Sequence, residues 1–313
     1  MKIRVLLYKV RKSVKRKVQT MLKLFKKAWE DIKLHIQVGK EYLNRKKIVE
    51  TDTNLGNNTW LYYWNYALES CKGKSGYENL GDYLSKVVVS HFMSDEKHKI
   101  QKTKPTTIYA IGSVIGFRCQ NAVIWGSGIL HPYKWYKLRA KYSSFDIRAV
   151  RGPKTRQELL KLNKQCPEVY GDPAILMPYV FNPANVEKKY DVTVILNWYY
   201  NDFEIPNNLK VNVLDIITTD YEDFITQICQ SKLVISSSLH GIILAETYGV
   251  PAVLLYKPNE SIFKFEDWYY STGRYNVIVA QTIKEAMTVE PMELPNLKNM
   301  QDALIKAFPS DVF

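Results

Sequence analysis

The chain has 313 residues, 46% of them apolar and 22 of them tyrosine, which excludes a disordered protein and leaves room for two folded domains. Its net charge of +13 sits at one end: residues 1–47 carry 16 Lys/Arg against 3 Asp/Glu, and the rest carries 28 of each sign. The body is therefore neutral, and a nucleic-acid-binding body is excluded because the basicity belongs to a tail without a recognition motif.

Residues 9–36 are predicted to form one long helix, because Val10, Val14, Val18, Leu22, Phe25, Trp29 and Ile32 recur at spacings of three and four. Lys12, Lys15, Arg16, Lys23, Lys26 and Lys27 occupy much of the remaining surface, and the first acidic residue is Glu30. An apolar stripe rimmed by cations suits an anionic membrane interface, where each cation adds about 1 kcal/mol of attraction. The plainer alternative is a helix packed on the body with a solvated basic face. Lysines break up any signal-peptide centre, and no run reaches the roughly 18 apolar residues of a membrane span. The expected location is cytoplasmic, peripheral on the inner face of the membrane through residues 1–40.

Residues 48–58 are polar and turn-rich and are expected to link this helix to the body. The aromatic run 59–70 suggests a buried strand and its exit. A loop holding Gly81-Asp82 then opens a helix through Met93, with Asp82 as its expected N-cap. Strands are predicted at 107–112, 122–126 and 147–151, and a helix over 153–163 begins with Pro153 in its first turn. A short strand, Val169–Tyr170, runs into Gly171-Asp172-Pro173.

Beyond residue 185 strands are expected at 191–199, 211–217, 232–236 and 251–256, with helices at 221–230 and 240–249 between them. Strands alternating with helices of this length define an α/β fold with parallel sheets and right-handed crossovers. The expected architecture is two Rossmann-like doubly wound domains facing a cleft. Residues 1–50 form the basic helix and linker, 51–185 the first domain and 186–313 the second. Cys71, Cys119, Cys166 and Cys229 lie too far apart for a zinc pair or a disulfide framework and read as inert core thiols in a reducing compartment. The five histidines are scattered, so no metal site is expected.

The sharpest local signal is Ser236-Ser237-Ser238-Leu239-His240-Gly241, a strand running through hydroxyls into a helix start. Open first-turn N–H groups and serine hydroxyls make a cradle for phosphate or carboxylate. Gly241 lets a ligand approach the backbone, and His240 can move a proton near neutral pH. Arg148 and Arg151 stand at a strand end before Pro153, and the fork of Arg151 suits an anion held bidentately. Asp82 and Asp172 occupy strand exits where a base for a sugar hydroxyl would sit, and both serve equally well as caps. The run Phe263–Tyr270 is either a sugar platform, with Lys264 and Arg274 aimed at an anion, or a packed helix start.

Together ENLGDYLS (78–85), AIGSVI (110–115), VIWGSGI (123–129), IRAVRGPKT (147–155), YGDPAILMP (170–178), SSSLHGIILAETYGVP (236–251) and FKFEDWYYSTGR (263–274) make a specific series. In order and spacing this chain resembles the polysaccharide pyruvyl transferase family over roughly residues 76–275. The resemblance implies a GT-B-like fold and transfer of the pyruvyl group of phosphoenolpyruvate to two hydroxyls of one sugar. The acceptor would be an exopolysaccharide or capsule repeat unit on a polyprenyl-diphosphate carrier. No organic cofactor or metal is implied.

On that resemblance Arg151, Ser236, Ser237, Ser238, Leu239 and Gly241 would hold the donor. His240 would be the general acid, Asp82 or Asp172 would take hydroxyl protons, and Gly81 and Trp268 would meet the acceptor. Ser238 stands where many relatives have arginine, so Lys264 or Arg274 is expected to supply a cation. The segment Val194–Tyr200 lacks a histidine that relatives often carry there. The central expectation is that Arg151 and the serine loop converge on one three-carbon anion from opposite lobes. The competing readings are a glycosyltransferase using a nucleotide sugar in the same cleft and a non-catalytic membrane-bound scaffold of polysaccharide assembly.

Overall fold

The computed structural model describes residues 2–43, 53–56, 58–64, 78–94, 106–118, 121–198, 202–205, 211–258 and 260–313. The chain divides into two compact units, residues 1–45 and 46–313. The first is a single helix, α1 (Lys2–Leu43), longer at both ends than the predicted span. Its exposed apolar side chains include Val18, Leu22, Phe25, Trp29, Ile32 and Ile36, which fall on one stripe.

The second unit holds two five-stranded sheets. The first contains β1 (Thr53–Gly56), β2 (Thr59–Tyr62), β3 (Thr106–Tyr109), β4 (Ala122–Trp125) and β5 (Phe145–Ala149), in that spatial order. Its intervening helices are α2 (Leu80–Ser94), α3 (Lys134–Tyr142) and α4 (Pro153–Leu160). From β2 to β5 every pairing is parallel, whereas β1 folds back antiparallel on β2. Part of the expected linker is therefore a strand. After α4, Val169–Tyr170 forms only an isolated bridge, from Tyr170 to Val150. Asp172 then caps a 3-10 turn, Pro173–Leu176, which leads into the one-turn helix α5 (Met177–Val180).

The second sheet is wholly parallel, in the order β10-β9-β8-β6-β7. Its strands are β6 (Tyr190–Ile195), β7 (Asn212–Leu214), β8 (Ser231–Ser236), β9 (Ala252–Leu255) and β10 (Val279–Ala280). The helices are α6 (Tyr221–Cys229), α7 (Leu239–Thr247), α8 (Phe263–Ser271), the one-turn α9 (Ile283–Ala286) and α10 (Lys298–Lys306). β4 and β9 are buried along their whole length, as expected of parallel strands covered on both faces. The strand order reverses between β6 and β8, which makes a topological switch point and leaves a crevice at the strand ends.

The chain does not end in the second sheet. The carbonyl of Leu304 accepts from Trp125 Nε1 at 2.9 Å, that of Val312 from Thr59 Oγ1 at 2.5 Å, and Asp311 pairs with Arg148 at 2.9 Å. Phe308 packs edge-on against Trp125, with ring centroids 4.9 Å apart. The expected second domain, 186–313, thus sends its last helix back to cover the first sheet. Arg148, at the same strand end as Arg151, is held at the surface by Asp146 and Asp311.

Candidate functional site

A cavity of about 610 Å³ opens where the C-terminal ends of strands from both sheets meet. From the second sheet it receives Asn197 and Trp198, just after β6, and Ser238, Leu239 and His240, just after β8. Those two strand ends flank the switch point, so the topology puts the serine–histidine segment at the open crevice. The turn is tied across the gap: Ser237 N donates to Ile195 O at 3.1 Å, and Asn197 N donates to Ser237 Oγ at 2.7 Å. Ser236 stays buried, with its hydroxyl 2.8 Å from Ile195 O and accepting from Ser238 N at 3.0 Å. Ser236 and Ser237 therefore shape the turn, and Ser238 is the serine that lines the cavity. Ser238 makes no side-chain cap on α7, so its hydroxyl does not occupy the first-turn N–H groups.

His240 is 8% exposed. Its Nε2 stands 3.7 Å from Asp172 Oδ2, and both atoms are buried without a hydrogen-bond partner. Asp172 Oδ1 is used by Ala174 N at 3.1 Å, so the aspartate both caps its turn and turns one oxygen to the histidine. The other side of the imidazole rests on Gly81. A Cβ there would lie 1.8 Å from His240 Nδ1, so any larger residue would displace the ring. Gly81 is thus a seat for His240, and Gly241 likewise leaves room for the Ser236 hydroxyl, which a Cβ would approach to 2.3 Å.

Asp82 is not the cap of α2. Asn79 performs that task, its Oδ1 accepting from Gly81 N at 3.0 Å, and Asp82 falls in the first helical turn with its carboxyl on the cavity wall. Desolvation pushes the Asp82 carboxyl up from 3.8 to about 7, against the opposing pull of His240 and Lys264 and with the help of Asp172. Lys264, from the start of α8, also lines the cavity and pairs with Glu260 at 2.6 Å. Burial lowers the Lys264 ammonium pKa, and Glu260 partly restores it. Among the described residues Lys264 is the one Lys or Arg on the cavity wall.

The structure separates Arg151 from this group. Its side chain is fully buried, and it donates to Asp267 Oδ2 at 3.1 Å, Ser113 Oγ at 2.5 Å and Ile129 O at 2.9 Å. Asp267 also accepts from Thr155 N at 2.8 Å and Thr155 Oγ1 at 2.6 Å, so the carboxylate pins α8 to the start of α4. Arg151 braces Ser113, which lines the cavity, and does not itself face it. The expected convergence of Arg151 and the serine loop on one anion is corrected accordingly. Arg274 is likewise occupied: it pairs bidentately with the buried Glu246, at 2.6 and 2.8 Å. Trp268, expected to meet a sugar, is fully buried and donates from Nε1 to Glu246 Oε2 at 2.8 Å.

Aromatic side chains that the sequence reading passed over fill part of the wall instead: Trp64, Phe117, Tyr133, Tyr136 and Trp198. Their signal was position, since Trp64 and Trp198 each follow the C-terminal end of a parallel strand by two or three residues. Among the described residues no group of three His, Cys, Asp or Glu is placed to hold a metal ion. Cys166 is buried with its thiol pushed up to about 12 by desolvation, and Cys229 is partly buried; Cys71 and Cys119 lie outside the described residues.

These features define an α/β protein with a polar, partly aromatic cavity at its strand ends. The profile of the polysaccharide pyruvyl transferase family matches residues 19–256, and the chain belongs to that family. It is 25% identical over 243 residues to the succinoglycan biosynthesis protein ExoV of Rhizobium meliloti (strain 1021), covering 72% of this chain and 70% of that protein. It is also 31% identical over 150 residues to the uncharacterized protein L143 of Acanthamoeba polyphaga mimivirus, covering 45% of this chain and 50% of that protein. The chain thus spans about half the length of the viral relative.

Proposed function

We propose that this protein transfers the pyruvyl group of phosphoenolpyruvate to two hydroxyls of one sugar, closing a pyruvate ketal on an exopolysaccharide or capsule repeat unit. The observation that carries the reading is His240, seated on Gly81 with Asp172 behind it and Asp82 beside it, in the cavity at the switch point. Lys264 and the first turn of α7 supply positive charge for the carboxylate and phosphate of the donor. His240 protonates the methylene carbon, which becomes a methyl group, and the central carbon becomes electrophilic. One sugar hydroxyl adds there and gives its proton to Asp82. Phosphate then leaves with its bonding electrons, the second hydroxyl adds to the same carbon, and its proton departs with the phosphate. The net change is phosphoenolpyruvate plus a diol giving a ketal plus inorganic phosphate. Holding both partners in one cavity contributes most of the rate through proximity and fixed charge.

The test is mass spectrometry of glycan from a deletion strain complemented with the wild type or with His240→Ala. A pyruvate ketal present with the first and absent with the second supports the reading. An unchanged glycan in the deletion strain refutes it, and protection of the pure protein by nucleotide sugars instead of phosphoenolpyruvate would favour a glycosyltransferase.

The same proposal places a lipid-linked acceptor at a membrane surface. The exposed stripe Val18, Leu22, Phe25, Trp29, Ile32 and Ile36 is rimmed by lysines, and no helix among the described residues is long and apolar enough to cross a membrane. Deleting residues 1–40 should abolish binding to anionic vesicles while sparing turnover of a soluble acceptor. Vesicle binding that survives the deletion removes the anchor from the proposal.

A further inference from the structure

Seven tryptophans are present in the chain, and those in the body with described side chains do different jobs. Trp125 and Trp268 are fully buried, and each indole N–H is satisfied inside the protein, by Leu304 O and by Glu246. That is how a core tryptophan is built. Trp64 and Trp198 differ in exposure and in place. Each is half-buried, each follows a parallel strand, and they come from different sheets. Their rings nevertheless meet, with centroids 6.2 Å apart and planes tilted by 48°, and both lie on the cavity wall.

We infer that Trp64 and Trp198 together form the platform on which a pyranose ring of the acceptor stacks, and so set the acceptor subsite. The inference deepens the reading of this cavity as a sugar-modifying site and rests on it. A pyranose carries an apolar face of C–H groups and a rim of hydroxyls, so it needs an aromatic surface flanked by hydrogen-bonding groups. The cavity offers both: Asn197 adjoins Trp198 in sequence, and Asn79, Asp82 and Glu260 line the same space. Because the two rings already touch, the sugar lies on the surface they jointly present and does not slip between them. Ketal closure gives this arrangement a purpose. Two oxygens of one ring must reach the same carbon in turn, and a ring held flat keeps both within range while it pivots little.

The two tryptophans offer the cavity uncharged ring faces, whereas Lys264, Ser238 and His240 offer it charged and hydrogen-bonding groups. Loss of a tryptophan face should therefore weaken sugar binding and leave the anionic donor alone.

The experiment is saturation-transfer NMR on the full-length protein with methyl β-D-glucoside and methyl β-D-galactoside, without any donor. Trp64→Leu and Trp198→Leu keep apolar bulk and remove the π face; Trp64→Phe and Trp198→Phe restore a face and guard against loss of fold. Saturation should reach the C–H protons of one ring face in the wild type. It should fall by about tenfold in each leucine variant and return to within about threefold in the phenylalanine variants, consistent with about tenfold per 1.4 kcal/mol of lost stacking. Phosphoenolpyruvate binding, followed separately by phosphorus NMR, should be unchanged in all four. No transfer to either glycoside in the wild type, or undiminished transfer in both leucine variants, overturns the platform. Failure of the wild type to bind phosphoenolpyruvate would instead strike the donor assignment, since the glycoside signal is read without it.

Discussion

Val150–Thr155 and Ser236–Gly241 are alike in sequence: each leaves a parallel strand and enters a helix through small or charged residues. The structure gives them opposite tasks. At the end of β5 the crevice is filled by α8: Arg151 Nε and Thr155 donate to the Asp267 carboxylate, and Gly152 lies so close to the Asp267 carbonyl that a Cβ would approach it to 1.8 Å. At the end of β8 the first turn of α2 only seats the His240 ring, and Ser238, Leu239 and His240 line the cavity. A strand-to-helix turn offers donors in both places. What differs is whether another part of the chain answers them or they border a cavity.

The largest expected effect tests the open segment. His240→Ala should lower turnover by roughly 10²–10⁴-fold, the usual cost of losing a general acid, with little change in melting temperature. A variant retaining more than about a tenth of wild-type turnover would remove His240 from the chemistry. The filled segment should respond the other way. Asp267→Ala leaves the Arg151 guanidinium buried without its charge partner and should cost about 3–5 kcal/mol, lowering Tm by roughly 10 °C. Replacing both, Arg151→Met with Asp267→Leu, should recover much of that loss. If Asp267→Ala melts like the wild type, the clamp is not structural and the contrast between the two segments fails.

The smallest effect is read in pH. The folded carboxyl of Asp82 sits near 7 and the unfolded one near 3.8, so the folded protein binds more protons between these values. The wild type should therefore lose stability as pH rises from about 4 to about 7, as a buried charge is forced on it, and Asp82→Asn should not. The difference in Tm between the two should widen across that window and level off above it. In turnover, the limb that rises near pH 7 should vanish in Asp82→Asn. A rising limb that persists would assign that proton to another group.

Much of the framework was readable in advance because parallel strands are buried on both faces and appear as continuous apolar runs, as in Ala122–Trp125 and Ala252–Leu255. Pro153 marked the start of a helix for a local reason, its missing N–H, and it does begin α4. Asp82 was read as a cap because nothing in the sequence distinguishes it from Asn79, three residues earlier in the same turn-forming run; the backbone phase chose Asn79 and released the aspartate. Phe263–Tyr270 read equally as a sugar platform or a packed helix start, and the second holds: Phe265, Trp268 and Tyr269 are buried on α8. Trp64 and Trp198 stand just beyond parallel strands, but only the approach of the two sheets brings them together.

By itself the sequence determined the α/β alternation, the segregation of positive charge into one amphipathic helix and the family to which the chain belongs. Each of these is a local or periodic property, set by side chains a few residues apart. Only the tertiary structure decided that Arg151 is a brace, that Asp82 and His240 share a cavity, and that the last helix returns to the first sheet. Those outcomes depend on which distant side chain takes up each buried polar group, and burial forces that choice without leaving a mark in the order of residues.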